Sequence, residues 1–558
     1  MPLSQQQTNV DVLIQDEKNM SWWKEGVIYQ IYPRSFQDSN ADGIGDIRGI
    51  IQRLDYLNDG STSSLGVSAI WLCPVYPSPQ ADFGYDVADY LNIDPCYGTL
   101  TDLDALIEAA HSRNIRVIMD MVLNHTSDQH PWFQQSLLGD QSDKQDWYIW
   151  HEGRQRPTNW ESCFGGSGWS WSEQRQAWYY HSFLPQQPDL NWRNPAVVDA
   201  VRNVLEFWME RGIDGFRLDV VNYYFKDQQL RNNPVDWFKI ARPYDRQRHL
   251  HDKDQPEMHE ALQAMRQWVE QYPERILIGE VFTGDEDNCQ LAASYCGRDD
   301  QLHLAFNLEF LHCRFDASAF KRAIKRWNEA LGKHNWPCYT LSNHDVKRHI
   351  SRYAASERTP WRARLLATML LTLRGTPVLY YGEEIGMPEQ RVPRKQLQDP
   401  VGLHYWPLFP GRDGCRRPMM WSKPNSFTSA TTSWLPDDAE SEHTVANQEY
   451  NPGSLLNWYR TLIWLRHQYP ALSKGSMKLL ESHPDILAWE RCHNDQRILV
   501  LLNFSNRYVE VNIHRQILDN LLANSHDEIR TPEGNLSLQP LQALVVCLPD
   551  DFPQRAVI

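Results

Sequence analysis

Short apolar runs recur along most of the chain. Between them lie longer stretches whose apolar positions return every three to four residues. Runs of four to six apolar residues bounded by polar, Gly or Pro positions predict buried strands, and the 3.6-residue periodicity predicts helices. Strands are thus expected at 27–32, 69–72, 117–121, 215–218, 276–279, 304–307, 338–341 and 378–381, with helices at 47–57, 102–113, 197–211 and 361–374. Eight strands with interposed helices predict an α/β fold, a closed (β/α)8 TIM barrel rather than an open sheet. The alternation lapses over 125–194, where Trp, Gly, Ser and Pro follow one another without period, so an irregular inserted subdomain is expected there. The barrel would then occupy 21–124 and 195–476, behind a loose tail at 1–20. Two long connections, 223–260 and 382–454, predict walls or lids at one end of it. From 477 the pattern changes to short alternating strands at 486–490, 498–502, 508–511 and 543–548, which predicts a C-terminal antiparallel β-sandwich, 477–558.

Three of the predicted strands run into a carboxylate: Asp219 in GFRLDVVNY, Glu280 in RILIGEVF and Asp345 in CYTLSNHD. Charge resists leaving water, so an acid at the end of a buried strand is costly unless it has a partner or a task. The carboxyl ends of parallel barrel strands converge on one face, where barrel enzymes keep their active sites. Carboxylates facing one another across a pocket are what glycoside hydrolysis requires. Arg217 lies two residues before Asp219 and shares its face on an extended strand, so its guanidinium is placed to pair with that acid.

Composition narrows the choices. A net charge of −16 argues against binding nucleic acid or anionic membrane through a broad basic surface. No stretch approaches the roughly 18 apolar residues of a membrane span, and the N-terminus lacks the basic and apolar regions of a signal peptide. The ten cysteines include no C-x-x-C pair, which suits reduced thiols in a cytoplasmic protein. Most of the 23 tryptophans are expected in the core, with a few stacking on sugar rings.

The segments DMVLNHTS (120–127), GFRLDVVNY (215–223), GEVF (279–282) and SNHD (342–345) resemble, in order and spacing, the four signature segments of the α-amylase superfamily of retaining α-glycosidases. QPDLNW (187–192) is similar to an additional segment of its oligo-1,6-glucosidase and α-glucosidase branch, and the likeness runs from about residue 21 to the end. The resemblance implies that Asp219 is the nucleophile, Glu280 the general acid and then base, and Asp345 the carboxylate that holds sugar hydroxyls. It implies that His125 and His344 are sugar-hydroxyl partners. It also implies that Asp82 and Tyr85 in DFGYD, with Arg412 in GRDGC, form the closed end of the pocket, and that Phe164 and Phe183 are aromatic walls. The expected partner is a small oligosaccharide, and the expected state a monomer or weak homodimer.

DSNADGIGD (38–46) offers Asp38, Asn40, Asp42 and Asp46, with the Ile44 carbonyl between them. Alternating oxygen ligands in a Gly-containing loop suit a hard cation. Position twelve of an EF-hand would fall on Gly49, so it is not an EF-hand. The segment is similar to the loop after the first strand that binds calcium, or sometimes magnesium, in this branch, so a structural Ca2+ (or Mg2+) is expected.

Linkage preference reads two ways. In this branch valine after the nucleophile accompanies α-1,6 bonds and threonine or alanine α-1,4 bonds; here it is Val220. DFGYD, NYYFKDQQLRNNP and QLQDPVG…GRDGC look more like bacterial α-glucosidases of broad or α-1,4 preference. The expectation is a retaining exo-α-glucosidase that accepts isomaltose-type and maltose-type substrates and transfers glucose as well as hydrolysing. A trehalose-6-phosphate hydrolase, which needs basic groups for the phosphate, stays open because Arg231, Lys239 and Arg242 lie in a plausible loop. VPRKQLQDP (392–400) does not match the charged motif of sucrose isomerases. An inactive transporter-linked homologue would lack the carboxylates and carry a membrane helix.

Overall fold

The computed structural model describes residues 21–549 apart from 240, 283–287, 425–426, 439–440 and 533–534; the expected tail at 1–20 lies outside the described residues. Strand β1 (Ile28–Ile31) is followed by β2 (Ala69–Leu72) and β3 (Arg116–Met121). Then come three strands of a small sheet: β4 (Trp150–Glu152), β5 (Trp169–Ser172) and β6 (Ala177–Tyr180). The remaining barrel strands are β7 (Gly215–Leu218), β8 (Ile276–Gly279), β9 (Leu304–Asn307), β10 (Cys338–Thr340) and β11 (Thr376–Tyr380). The barrel closes in the order β1-β11-β10-β9-β8-β7-β3-β2, with every pair parallel. The predicted α/β barrel is therefore the observed architecture.

Nearly every barrel-strand residue is buried, because one face meets the helices and the other fills the barrel. Ile28, Trp71, Ile118, Ile278, Phe306, Cys338 and Val378 pack together inside it. The helices follow their signals. Thr99 and Asp102 form a capping box at the start of Leu100–His111. Asn194, followed by Pro195 at the first helical position, starts Pro195–Glu210. The helix expected at 47–57 is two pieces, Ile47–Gln52 and Leu54–Leu57. Arg53 leaves helical geometry between them; its guanidinium donates to Gln37 Oε1 and lies over the Trp421 ring.

The stretch 125–194 is less irregular than its composition suggests, because β4, β6 and β5 form an antiparallel sheet. Each strand is only three or four residues long, and in β6 aromatic side chains point to both faces, so little apolar–polar alternation is there to read. The C-terminal region holds a five-stranded antiparallel sheet and a two-stranded one. Its hairpin of Ile486–His493 and Gln496–Asn503 was visible in the pattern. Strands Ser476–Leu479, Leu521–Asn524 and Asn535–Leu538 were not, because four residues each give little periodicity. No helix among the described residues is long and apolar enough to cross a membrane.

Candidate active site

Asp219 is the first residue beyond β7 and Glu280 the first beyond β8, so the barrel register sets them side by side at its carboxyl end. Asp120, inside β3, pairs in register with Arg217 of β7. Arg217 is buried at the centre of these acids. Its Nη1 donates to Asp219 Oδ1 at 2.7 Å and to Asp120 Oδ1 at 2.8 Å, and its Nη2 donates to Glu280 Oε2 at 2.6 Å. The expected Arg217–Asp219 pair is present, and the same guanidinium also binds Glu280. A guanidinium holds its two Nη atoms rigidly side by side, so the two acids that grip it face one cavity.

That cavity has a volume of about 200 Å3. Asp82, Tyr85, His125, Phe164, Phe183, Asp219, Val220, Glu280, His344, Asp345 and Arg412 all line it, while Arg217 sits behind the acids. At one end Arg412 Nη2 donates to Asp82 Oδ1 at 2.6 Å and Nη1 to Asp345 Oδ1 at 3.2 Å. Tyr85 stacks on His344 with ring centroids 5.3 Å apart, and its hydroxyl lies 2.6 Å from His344 Nε2 and donates to Asp120 Oδ2 at 3.0 Å. Phe164 lies under the Arg412 guanidinium, and Phe183 packs on His125 and Tyr223. Val220 has φ 35°, a left-handed conformation that is rare for a β-branched side chain.

Burial raises the carboxyl of Asp219 and that of Glu280; Arg217 opposes the rise in both, and for Asp219 the neighbouring Glu280 and Asp120 add to it. Glu280 also feels the negative charge of Asp345. Burial pushes Asp345 up as well, but His344, Arg412 and Arg416 outweigh it and hold Asp345 well below the usual carboxylate range. Of the two acids Asp219 is raised the further, and Glu280 is raised as well. Burial lowers His125 to about 4 and His344 to about 3, so both are neutral donors and acceptors near pH 7.

The loop at 38–46 is knotted by its own amides. Asp38 accepts from the backbone of Asn40, Ala41 and Gly43 and from the Thr428 hydroxyl. Asp46 accepts from Ser39 and, as helix cap, from Gly49. Asn40 and Asp42 bond to one another. Among the described residues no three His, Cys, Asp or Glu side chains form a ligand cluster. A cation here would draw on the Asn40 oxygen and the Ile44 carbonyl as well as carboxylates, an all-oxygen set that fits a hard ion.

The family description "Alpha amylase, catalytic domain" matches residues 30–475. The chain belongs to the alpha-amylase family. Among its alpha-amylase relatives, a probable alpha-glucosidase of Rhizobium meliloti is 42% identical over 506 residues, 88% of this chain and 90% of that one. An oligo-1,6-glucosidase of Halalkalibacterium halodurans is 36% identical over 568 residues, 94% of this chain and 98% of that one. The crystal structure of an alpha-glucosyl transfer enzyme superposes with a TM-score of 0.88 at 38% identity, covering 95% of this chain and 100% of that one.

Sequence reasoning passed over several residues of this alpha-amylase-type pocket. Asp120 opens the DMVLNHTS segment but lies within β3 rather than just past it, so a search for acids at strand ends misses it. Gln187, the first residue of QPDLNW, is fully buried and donates to Asp82 Oδ2 at 3.3 Å. Arg416 donates to Asp345 at 3.0 Å from four residues beyond Arg412. Of the basic residues considered for phosphate, Arg231 is paired with Asp227 and Lys239 donates to the Asp245 carbonyl. Arg242 lines the cavity with its Nε and Nη2 held by Asp245.

Proposed function

We propose that this glycoside hydrolase is a retaining exo-α-glucosidase that releases glucose from the non-reducing end of short α-glucosides. The observation that carries the proposal is the pair Asp219 and Glu280 held by one guanidinium in one cavity. A retaining displacement needs its two carboxyl groups only about 5–5.5 Å apart, and a shared clamp favours that short spacing.

Asp219 attacks the anomeric carbon as Glu280 gives its proton to the leaving oxygen, which forms a covalent glucosyl-enzyme. Glu280, now a carboxylate, then takes a proton from the incoming water or sugar hydroxyl as that oxygen displaces Asp219. Asp345, kept ionised by Arg412 and Arg416, holds sugar hydroxyls and favours the positively charged transition state. Neutral His125 and His344 bond further hydroxyls. Asp82 and Arg412 grip the terminal glucose, Tyr85 lies against its ring, and Phe164 and Phe183 wall it. The ion pair across one end supports exo-action, because a chain cannot thread past it. Capture of the intermediate by a sugar hydroxyl gives transglucosylation. Val220, beside both acids in the lining, favours acceptance of α-1,6 bonds.

A structural Ca2+ or Mg2+ held by Asp38, Asn40, Asp42, Asp46 and the Ile44 carbonyl belongs to the same proposal; it would brace the loop after β1 and take no part in bond cleavage. The trehalose-6-phosphate reading is weakened by the ion pairs that occupy Arg231 and Arg242. Assay of maltose, isomaltose, sucrose, trehalose and trehalose 6-phosphate with the wild type and Asp219→Asn tests the proposal. It fails if Asp219→Asn retains turnover, or if starch yields long oligosaccharides.

A further inference from the structure

Arg412 reaches Asp82 and Asp345 because something else aims it. Asp399 has no solvent exposure and lies in the long connection after β11. Its Oδ1 accepts from Arg412 Nε at 2.8 Å and from Nη2 at 2.6 Å. Its Oδ2 accepts from the backbone N–H of Arg412 at 3.0 Å and of Gly402 at 3.1 Å. One carboxylate therefore holds the side chain and the main chain of the same arginine.

A guanidinium has five N–H donors. Nε–H goes to Asp399, the two Nη2 hydrogens to Asp399 and Asp82, and one Nη1 hydrogen to Asp345. The second Nη1 hydrogen is left for the cavity that Arg412 lines. The fork is rigid and planar, so gripping its Nε edge decides where Nη1 points.

The surroundings are built for this contact. Gly411, at φ 78°, lies so close that a Cβ there would sit 2.4 Å from Asp399 Oδ2. The backbone N–H groups of Gln398 and Asp399 both donate to the buried Asp413 carboxylate, at 2.7 and 3.0 Å. The Gly402 bond ties Asp399 to the short helix Pro400–Tyr405, whose Val401 also lines the cavity.

We infer that Asp399 is a positioning residue for the glucose subsite: it aims the free Nη1 hydrogen of Arg412 at a sugar hydroxyl and keeps Arg412 on Asp82 and Asp345. The inference rests on the proposed exo-glucosidase reading, yet it concerns binding, which can be measured without turnover. Asp399→Asn keeps the shape but removes the charge and sets an NH2 against either the guanidinium or the two backbone N–H donors. Glucose binding is measured by calorimetry on the Asp219→Asn protein with and without Asp399→Asn. The expected result is a Kd raised about tenfold, the worth of a charged hydrogen bond. In an otherwise wild-type background, KM for p-nitrophenyl α-glucoside should rise by a similar factor while kcat falls less than about threefold. In an Arg412→Ala background Asp399→Asn should change glucose binding less than about twofold, since the residue acts through that arginine.

If Asp399→Asn does not fold, Asp399→Glu keeps the charge but displaces it by a methylene, and should fold while still binding glucose more weakly. Unchanged glucose affinity in a folded variant, or an equal loss in the Arg412→Ala background, overturns the inference. Retained turnover in Asp219→Asn would instead overturn the reading of the reaction and leave this binding test standing.

Discussion

Arg217 Nη2 donates to Glu280 Oε2 at 2.6 Å, although Glu280 is the group proposed to arrive protonated. A carboxylic acid still accepts through its unprotonated oxygen, so the contact orients Glu280 without requiring its charge. Burial and the Asp345 carboxylate favour the proton; Arg217 opposes it. The balance lies above the ordinary glutamate value.

The pH profile follows from that balance. A general acid works only while it keeps its proton, so activity falls as pH rises through the Glu280 pKa. A nucleophile works only while ionised, so activity falls as pH drops through that of Asp219. We expect a bell-shaped kcat/KM whose alkaline limb lies above the ordinary glutamate value and whose acid limb is displaced upward with Asp219. In Glu280→Gln, turnover of an aryl glucoside with a good leaving group should lose that alkaline limb; a profile identical to wild type would remove Glu280 from the role.

Asp219→Asn keeps the size and removes the nucleophile. We expect kcat on p-nitrophenyl α-glucoside to fall by about a thousandfold or more, with glucose still bound. With wild-type enzyme and a ring-fluorinated glucosyl donor that carries a good leaving group, so that the second displacement is the slow one, intact-protein mass spectrometry should show one added fluoroglucosyl unit, absent from the variant.

Val220 sits next to the nucleophile in a strained conformation and lines the cavity. Val220→Thr keeps the β-branch and exchanges a methyl for a hydroxyl. We expect the maltose-to-isomaltose ratio of kcat/KM to rise by about tenfold, the scale of one group in a pocket. A ratio within twofold of wild type would take linkage control away from this position. Val220→Gly, which relieves the left-handed φ, should cost little stability despite the lost side chain.

Metal removal separates bracing from chemistry. If a divalent ion sits in the 38–46 loop, chelation should lower Tm by several degrees and added Ca2+ should restore it, since a ligand stabilises by mass action. The residual activity at 25 °C should persist. Asp42→Asn should abolish the response to Ca2+; a Tm indifferent to chelator and Ca2+ in the wild type would dismiss the site.

What the primary structure determined is local. Apolar runs marked the barrel strands, because residues buried on both faces leave a continuous signal. Acids at strand ends marked Asp219 and Glu280, because a charge beside a buried strand needs a reason. Only the folded chain decided who meets whom. Arg412 reaches Asp82 across 330 positions of sequence, and Asp399 and Arg416 join that network from loops without periodicity. Loop contacts depend on backbone paths that no window of residues specifies. The raised pKa of Glu280 belongs to the fold for the same reason: it depends on which charges converge around it and on how deeply it is buried.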